Sequence, residues 1–330
     1  MPRPPDLEER LVESVRDIAS TKPLFGRDSV APNQFLEVTS QLPVTNLGCW
    51  ERTLREELSW ALSRRISLNV WAIKKPHGPW LNLFNGSGYQ REKALEAISE
   101  GAPNAFLFAI MLRRLNDWVP QVRAAARKSI ERIAPGTEPE IIVDALWWAL
   151  PSLHSWGRWH DPEREALINL VSVGDVPELL AAKIKHSPSG PAATVLNQAA
   201  RNPAIDRYLT SVARDSIQPA VRAKAYRFML EEQACWLEDR KVVWTDKYWG
   251  KGRYEPVLGT REISVNADRL NLLREATMDK SPAVRRIAGT TIIARLEELG
   301  NEALPLATLL AADVYPSIAE RGQFALDRIT

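Results

Sequence analysis

The sequence predicts an all-α protein in which six to seven helical hairpins stack side by side into an α-solenoid. Three observations predict this fold: a helix-start signal recurs along the chain, predicted helix starts follow one another at short intervals, and apolar segments of helical length separate them. The start signal is an Asp followed three or four residues later by a Pro. Because Asp can cap a helix and the fixed φ of Pro suits the first helical turn, the signal indicates repeated helices rather than chemistry.

The start signals share small or β-branched residues after the Pro. In three of the four, an Arg stands three positions after the Pro. The signals lie at residues 117–123, 215–222, 279–285 and 313–318. Such regularity is typical of repeat proteins, in which each unit is one supersecondary element.

The second helices of the hairpins are predicted to begin near Gly88, Pro120, Pro162, Pro191, Pro219, Pro282 and Pro316. The first helices are predicted at residues 105–115, 141–150, 176–184, 205–213, 270–276 and 304–311. Successive starts are 28 to 42 residues apart, except for one interval of 63 residues after Pro219. That interval predicts an insertion at about residues 240–265.

The first part of the chain fits the repeat less well. Residues 7–20 and 51–63 have helical patterns, whereas residues 66–73 are compatible with strand or helix. We therefore predict an atypical helical cap over residues 1–84, followed by the repeat array over residues 85–330.

The predicted second helices resemble those of HEAT repeats. The resemblance lies in Gly88-Tyr-Gln-Arg-Glu-Lys-Ala-Leu and in the three Pro-x-Val-Arg segments, and it extends over roughly residues 85–330. It implies a superhelix in which turn Asp and second-helix Arg residues form a ladder from one repeat to the next. The implied ladder members are Asp117, Arg123, Asp215, Arg222, Asp279 and Arg285. The last repeat has Ala319 or Glu320 near the Arg position, which fits a terminal cap.

Composition narrows the functional classes. The chain has 43 basic and 41 acidic side chains, a formal charge of +2, so no global charge draws it to nucleic acid or anionic membrane. Cys49 and Cys235 lie far apart and predict reduced thiols rather than a disulfide or zinc site. A charged N-terminus and the lack of a long apolar run predict a cytoplasmic protein without a membrane partner. No motif for a cofactor or catalytic group is recognised, so we expect no enzyme activity and no cofactor.

The insertion is rich in aromatic and basic residues. Its candidate partner-binding residues are Trp244, Tyr248, Trp249, Lys251, Arg253 and Tyr254, with Lys247 beside them. A long loop or small hairpin on a rigid scaffold is a usual place for function, so these residues are predicted to form a binding arm. The alternative is that the aromatic rings fold back over exposed repeat edges while the basic groups are merely solvated.

A second aromatic cluster follows the helix predicted at residues 141–150. Trp156, Arg158 and Trp159 are predicted to contact a partner, whereas Trp147 and Trp148 are interpreted as core residues. His154, His160 and Asp161 are types that can bind a metal, but their spacing lacks a helical i,i+4 pair, so no metal site is predicted.

We therefore expect a non-enzymatic scaffold that binds another protein, for example as an inhibitor or immunity-type binder. The alternative is nucleic-acid binding, with base chemistry as in HEAT-like alkylpurine glycosylases. That hypothesis draws on the residue types of Asp117, Trp118, Arg158, Trp159 and Asp161, without an aligned catalytic motif. A third hypothesis, a chromophore-attaching lyase or chaperone, lacks the cysteine or histidine pair that a bilin site would need.

Overall fold

Helices dominate the computed structural model of the chain, which describes residues 5–20, 30–66, 78–263 and 268–329. The chain divides into two compact units, residues 1–176 and 177–330. The first unit contains α1 (Pro5–Ser20), α2 (Val30–Ser40), α3 (Leu47–Ile66), α4 (Pro79–Asn82), α5 (Gly88–Ala97), α6 (Ala105–Arg113), α7 (Pro120–Ile133), α8 (Pro139–Ala149) and α9 (Asp161–Asn169).

The second unit combines helices with one β-hairpin. Its elements are α10 (Val176–His186, beginning at the boundary), α11 (Ala192–Ala199), α12 (Leu209–Asp215), α13 (Pro219–Glu231), β1 (Gln233–Asp246), β2 (Lys251–Glu262), α14 (Arg269–Thr277), α15 (Pro282–Ala294), α16 (Leu296–Leu299), α17 (Ala303–Ala311) and α18 (Pro316–Ile329). Every predicted second helix begins within one residue of its predicted start. The helix-start signals therefore have the meaning inferred from the sequence.

Helices in each unit pack in a repeating order. In the first unit α5 packs on α7 and α7 on α9, while α6 packs on α8. In the second unit α13 packs on α15 and α15 on α18, while α14 packs on α17. Each second helix therefore contacts the second helix of a neighbouring pair, and first helices contact first helices, as expected of helical repeats. The buried stripe of α6, from Phe106 to Leu112, fills the space between such neighbours.

The N-terminal region is helical in its described parts. Helices α1 and α3 include the two predicted segments, and α1 packs on both α2 and α3. Beyond Ile66, the segment predicted as strand or helix lies outside the described residues. Among the described residues, no helix combines the length and apolar composition needed to cross a bilayer.

The insertion is a β-hairpin, one of the two forms predicted for it, so the all-α class does not hold at this place. Strands β1 and β2 pair antiparallel, and the hairpin begins at Gln233, earlier than the predicted limit of about residue 240. Val242, Val243 and Trp244 favour a strand, and Gly250 supplies the positive φ of 61° in the turn. The backbone N–H of Ile263 donates to the carbonyl of Glu232, so the chain enters and leaves the hairpin at one point.

Bidentate Arg–Asp pairs link successive second helices. Arg91 pairs with Asp117, Arg222 with Asp279, and Arg285 with Asp313, as separate bonds from Nε and Nη2 to the two carboxylate oxygens. The partners are 26 and 28 residues apart in two pairs and 57 apart in the pair that spans the hairpin. The hairpin is therefore inserted into an otherwise regular spacing.

Each of these Asp residues stands three positions before the helix start. Its carboxylate also accepts the backbone N–H two residues later, from Val119, Ser281 or Tyr315. The turn is thereby closed at the same carboxylate that binds the preceding repeat.

Two predicted ladder members do not take part as expected. Asp215 stands four positions before Pro219, so Ser216 occupies the ladder position and its carbonyl accepts Arg222 Nη1 at 2.9 Å. The side chain of Asp215 is 60% exposed and lies 3.9 Å from Lys185. Arg123 donates to the carbonyl of Asp117 at 2.9 Å but meets no carboxylate, and its Nε is buried without a hydrogen-bond partner.

The position that would supply a carboxylate for Arg123, three before Pro162, holds Trp159. The ladder is therefore interrupted by the residues that occupy the turn positions. Two residues outside the predicted ladder belong to it: Arg91 pairs with Asp117, and Asp313 pairs with Arg285.

Candidate functional site

The β-hairpin is fixed to the second unit at its base. Arg261, near the end of β2, forms a bidentate ion pair with the buried carboxylate of Asp206 and donates to three nearby backbone carbonyls. From β1, the carbonyl of Leu237 accepts a hydrogen bond from Arg201 at 3.1 Å. Charge-assisted, bidentate bonds of this kind define orientation as well as contributing energy. The base therefore holds the rest of the hairpin in a defined direction.

One face of the hairpin is apolar and exposed. Val242 pairs with Tyr254 and Trp244 with Gly252, so their side chains share a face, and Leu258 lies on the same side of β2. We call Val242, Trp244, Tyr254 and Leu258 the aromatic face. Trp244 is 51% exposed and Tyr254 is 73% exposed. Since no residue from 235 to 260 is buried, no described part of the chain covers this face.

Gly252 is required beneath the aromatic face. A Cβ at this position would lie 3.1 Å from the Trp244 ring and 2.9 Å from a Val242 methyl group. The missing side chain leaves room for the Trp244 ring close to the Gly252 backbone.

The hairpin tip is an ordered turn that carries two further aromatic rings. The Asp246 carboxylate accepts the backbone N–H groups of Tyr248 and Trp249 at 3.0 and 3.1 Å. Their rings meet edge to face with centroids 5.3 Å apart, and the two residues are 88% and 71% exposed. The prediction of aromatic rings covering repeat edges does not describe these residues.

The predicted basic residues of the hairpin differ in their environment. Arg253 pairs with Glu255 on the same strand, with an Nη2 to Oε1 distance of 2.8 Å. Lys247 and Lys251 make no side-chain hydrogen bond or ion pair with any described residue. The two lysines and Asp246 together leave the hairpin tip, residues 246–251, with a net charge of +1.

The second predicted cluster is only partly accessible. Trp159 is 7% exposed, because its ring packs edge to face against Trp156 with centroids 4.9 Å apart. Trp156 is half-buried, while Arg158 is exposed and stacks on Trp118, 3.5 Å from the ring centroid. Trp159 thus serves the core, and Arg158 belongs to a different feature of the first unit.

That feature is a pocket of about 300 Å³ with a strongly basic lining, which the sequence did not reveal. Its charged lining has six guanidinium groups and two carboxylates, an excess of four positive charges. The guanidinium groups belong to Arg52, Arg55, Arg91, Arg113, Arg114 and Arg158, and the carboxylates to Glu51 and Asp117. We call it the arginine pocket.

The inner layer of the arginine pocket is a buried ion-pair network. Asp117 accepts both Arg91 bonds, at 2.7 and 3.0 Å, and one from Arg114 at 3.1 Å. Arg114 also pairs with Glu51, which binds Arg113 at 2.8 Å and Arg55 at 2.9 Å. These bonds engage both carboxylates fully with the protein's own arginines.

The network changes the acidity of both carboxyl groups. Burial alone would raise the pKa of Glu51, but the charges of Arg114, Arg113 and Arg55 outweigh it and lower the pKa below its ordinary value. Burial would also raise the pKa of Asp117, but the hydrogen bonds from Arg91 and from the Val119 N–H outweigh it and lower that pKa. Both groups therefore stay ionised in the folded protein.

Acid should weaken the first unit through these two carboxyl groups. A carboxyl group whose pKa is lowered by folding stabilises the protein above its unfolded pKa, and this contribution is lost as the pH falls through the folded pKa. We expect the free energy of unfolding, measured in urea, to decrease from about pH 6 to about pH 3. Glu51→Gln should flatten that dependence, and an unchanged slope in this variant would contradict the assignment.

Asp117 and Asp161, from which the base-chemistry hypothesis was drawn, both form ion pairs with arginines. Asp117 is buried with its oxygens bonded to arginines and to a backbone N–H, so it is not available as a general base. Asp161 is exposed and pairs with Arg164 at 3.1 Å. In the described ranges, no three His, Cys, Asp or Glu side chains come together as metal ligands would.

Comparison with known proteins adds little. No protein-family model matches the sequence, and no curated protein matches it. A solved structure, the designed armadillo repeat protein YIII(Dq)4CqI, aligns with 97% of this chain and 100% of its own at 14% identity and a TM-score of 0.23. At that TM-score the similarity does not bear on fold or function.

Proposed function

We propose that this protein is a non-enzymatic, cytoplasmic protein-binding module in which HEAT-like hairpins form an α-solenoid that carries the β-hairpin as a binding arm. The repeated Arg–Asp pairs and the packing of second helix on second helix support the repeat assignment. Repeat arrays of this kind present extended surfaces to other macromolecules.

The observation that carries the proposal is the exposed aromatic face on an anchored base. Trp and Tyr are enriched among the few residues that carry most of the binding energy at protein interfaces, and rigid presentation lowers the entropy lost on binding. Trp244 and Tyr254 are exposed on the hairpin, while Arg261 and Asp206 hold its base. This combination is typical of a binding arm rather than a structural cover.

The charge of the tip indicates the chemistry of the partner. Lys247 and Lys251 flank the tip without partners among the described residues, and Asp246 is engaged in the turn. A complementary surface would have an apolar patch for the aromatic face and acidic residues around it. Such charge complementarity raises association rates and selects among partners.

The test is comparative capture followed by measured affinity. Immobilised wild-type protein and the Trp244→Ala/Tyr254→Ala variant are exposed to extract of the source cell, and bound proteins are quantified by mass spectrometry. A partner enriched by wild type is then purified for titration calorimetry. We expect loss of the Trp244 ring alone to weaken its binding about thirtyfold, because truncating a buried interface Trp costs about 2 kcal/mol or more.

Tyr89→Ala provides the matched control, because Tyr89 is an equally exposed aromatic residue on α5 in the first unit. This control should capture the same partner with unchanged affinity. Equal affinity of the double variant and wild type, or turnover of a small molecule by a protein that captures no partner, would contradict the proposal.

A further inference from the structure

The arginine pocket has an outer rim whose charge the protein leaves uncompensated. Glu51 and Asp117 are matched by the buried Arg91 and Arg114, which leaves the rim residues Arg52, Arg55, Arg113 and Arg158 in excess. The side chains of Arg55 and Arg113 are 44% and 42% exposed although both contact Glu51. Arg52 is exposed and has no side-chain partner among the described residues. The rim therefore attracts an anion.

A cluster of guanidinium groups favours a phosphate over other anions. Their planar donors match the oxygens of phosphate and carboxylate groups in a bidentate manner, and several of them together suit the higher charge of a phosphate. The inner network keeps Arg113 directed by Glu51 at 2.8 Å, so at least one rim guanidinium is oriented before a ligand arrives. Pre-orientation of this kind lowers the entropic cost of binding.

An aromatic ring stands at the edge of the same pocket. Trp118 lines it and is 75% exposed, although the guanidinium of Arg158 covers part of the indole. The backbone N–H of Arg158 donates to the Asn116 side chain at 2.9 Å, which fixes the segment that carries this stack. A base that stacks on an exposed indole beside a cationic site gains about 1–3 kcal/mol.

We infer that the arginine pocket binds a nucleotide, with its phosphate on the arginine rim and its base against Trp118. A pocket of about 300 Å³ is at the lower end of the range for small-molecule sites, which fits one phosphate and part of a nucleoside. The same chemistry is offered by a free mononucleotide and by the phosphorylated end of a single strand. This site is separate from the β-hairpin and does not depend on the function proposed above.

The experiment uses the full chain at low salt and three probes in calorimetric titrations. The probes are AMP, inorganic phosphate, and a single-stranded, 5′-phosphorylated DNA of about ten nucleotides. We expect AMP to bind more tightly than phosphate. Trp118→Ala should lower the AMP affinity about tenfold while changing the phosphate affinity little, since only the base contacts the indole. Arg52→Gln/Arg158→Gln should lower both affinities about tenfold or more.

The substitutions at the rim should not change the stability of the fold. Arg52 and Arg158 lie outside the ion-pair network, so their replacement should leave the melting temperature unchanged. Arg286→Gln removes an equally exposed arginine from the second unit and should alter no affinity.

Tighter binding of the DNA with a steep salt dependence would identify a strand end as the source of the nucleotide, whereas binding of AMP alone would identify a free nucleotide. Absence of saturable binding of AMP and DNA would overturn the inference. So would binding of AMP that Trp118→Ala leaves unchanged.

Discussion

Replacing Asp117 by alanine is expected to lower the free energy of unfolding by about 3–5 kcal/mol, because it leaves buried arginines without their carboxylate. Asp117 accepts two bonds from Arg91, one from Arg114 and one from the Val119 N–H. It therefore joins two second helices, closes the turn before α7 and forms the floor of the arginine pocket. Chemical denaturation followed by circular dichroism measures the effect.

Asp215→Ala is the matched control for this prediction. Asp215 has the same residue type and was implied by the HEAT resemblance to occupy the same ladder, but it is largely exposed and only 3.9 Å from Lys185. Its replacement should change the free energy of unfolding by no more than about 0.5 kcal/mol. Comparable destabilisation by both variants would show that the Arg–Asp ladder does not account for the difference between these turns.

Removal of Arg261 is the second change with a large expected effect. The Arg261→Ala variant loses the bidentate pair with Asp206, whose side chain is 3% exposed, together with three bonds to backbone carbonyls. Breaking a buried pair at one partner costs about 3–5 kcal/mol. The loss should be concentrated where the hairpin joins the helices. Hydrogen exchange should therefore accelerate in β1 and β2 before it does in α15 and α18.

The Arg261→Ala variant also distinguishes the orientation of the hairpin from the direct contacts of its aromatic face with a partner. The aromatic face is chemically intact in Arg261→Ala, so a reduced affinity for the captured partner would reflect lost orientation of the hairpin. Arg253→Ala serves as the control for the exchange rates alone, because Arg253 is a predicted contact residue that pairs with Glu255 and is 72% exposed at its side chain. Unchanged exchange rates in Arg261→Ala would contradict the anchoring role.

The helix positions were predictable because their signals are local. A Pro at the first helical turn and an apolar stripe at helical spacing each act within one element, and α7, α13, α15 and α18 begin at their predicted Pro. The ladder was harder to predict, because a shift of one position moves Asp215 out of it. Ser216 then stands at the ladder position, and its side chain has no carboxylate with which to bind an Arg of the preceding repeat.

The arginine pocket was not predicted, because its parts are brought together by packing rather than by spacing. Glu51 on α3 meets Arg114, which is 63 residues later, only because α3 packs on α6. The sequence signals were Arg52 with Arg55, and Arg113 with Arg114, each of which is ordinary on an exposed helix face. The burial of Trp159 was not predicted for a different reason, because the sequence indicated an exposed turn and not the edge-to-face contact with Trp156 inside it.

The β-hairpin is attached to the helices through its base alone, so its outer half can be exchanged without disturbing them. The Ile263 N–H bonds to the Glu232 carbonyl at 3.0 Å, and none of the residues from 235 to 260 is buried. Substitutions in its outer half therefore remove no core contacts, so recognition can diversify there at little cost to folding. Grafting a different outer strand pair between the same anchors is accordingly a direct route to a new specificity on this scaffold.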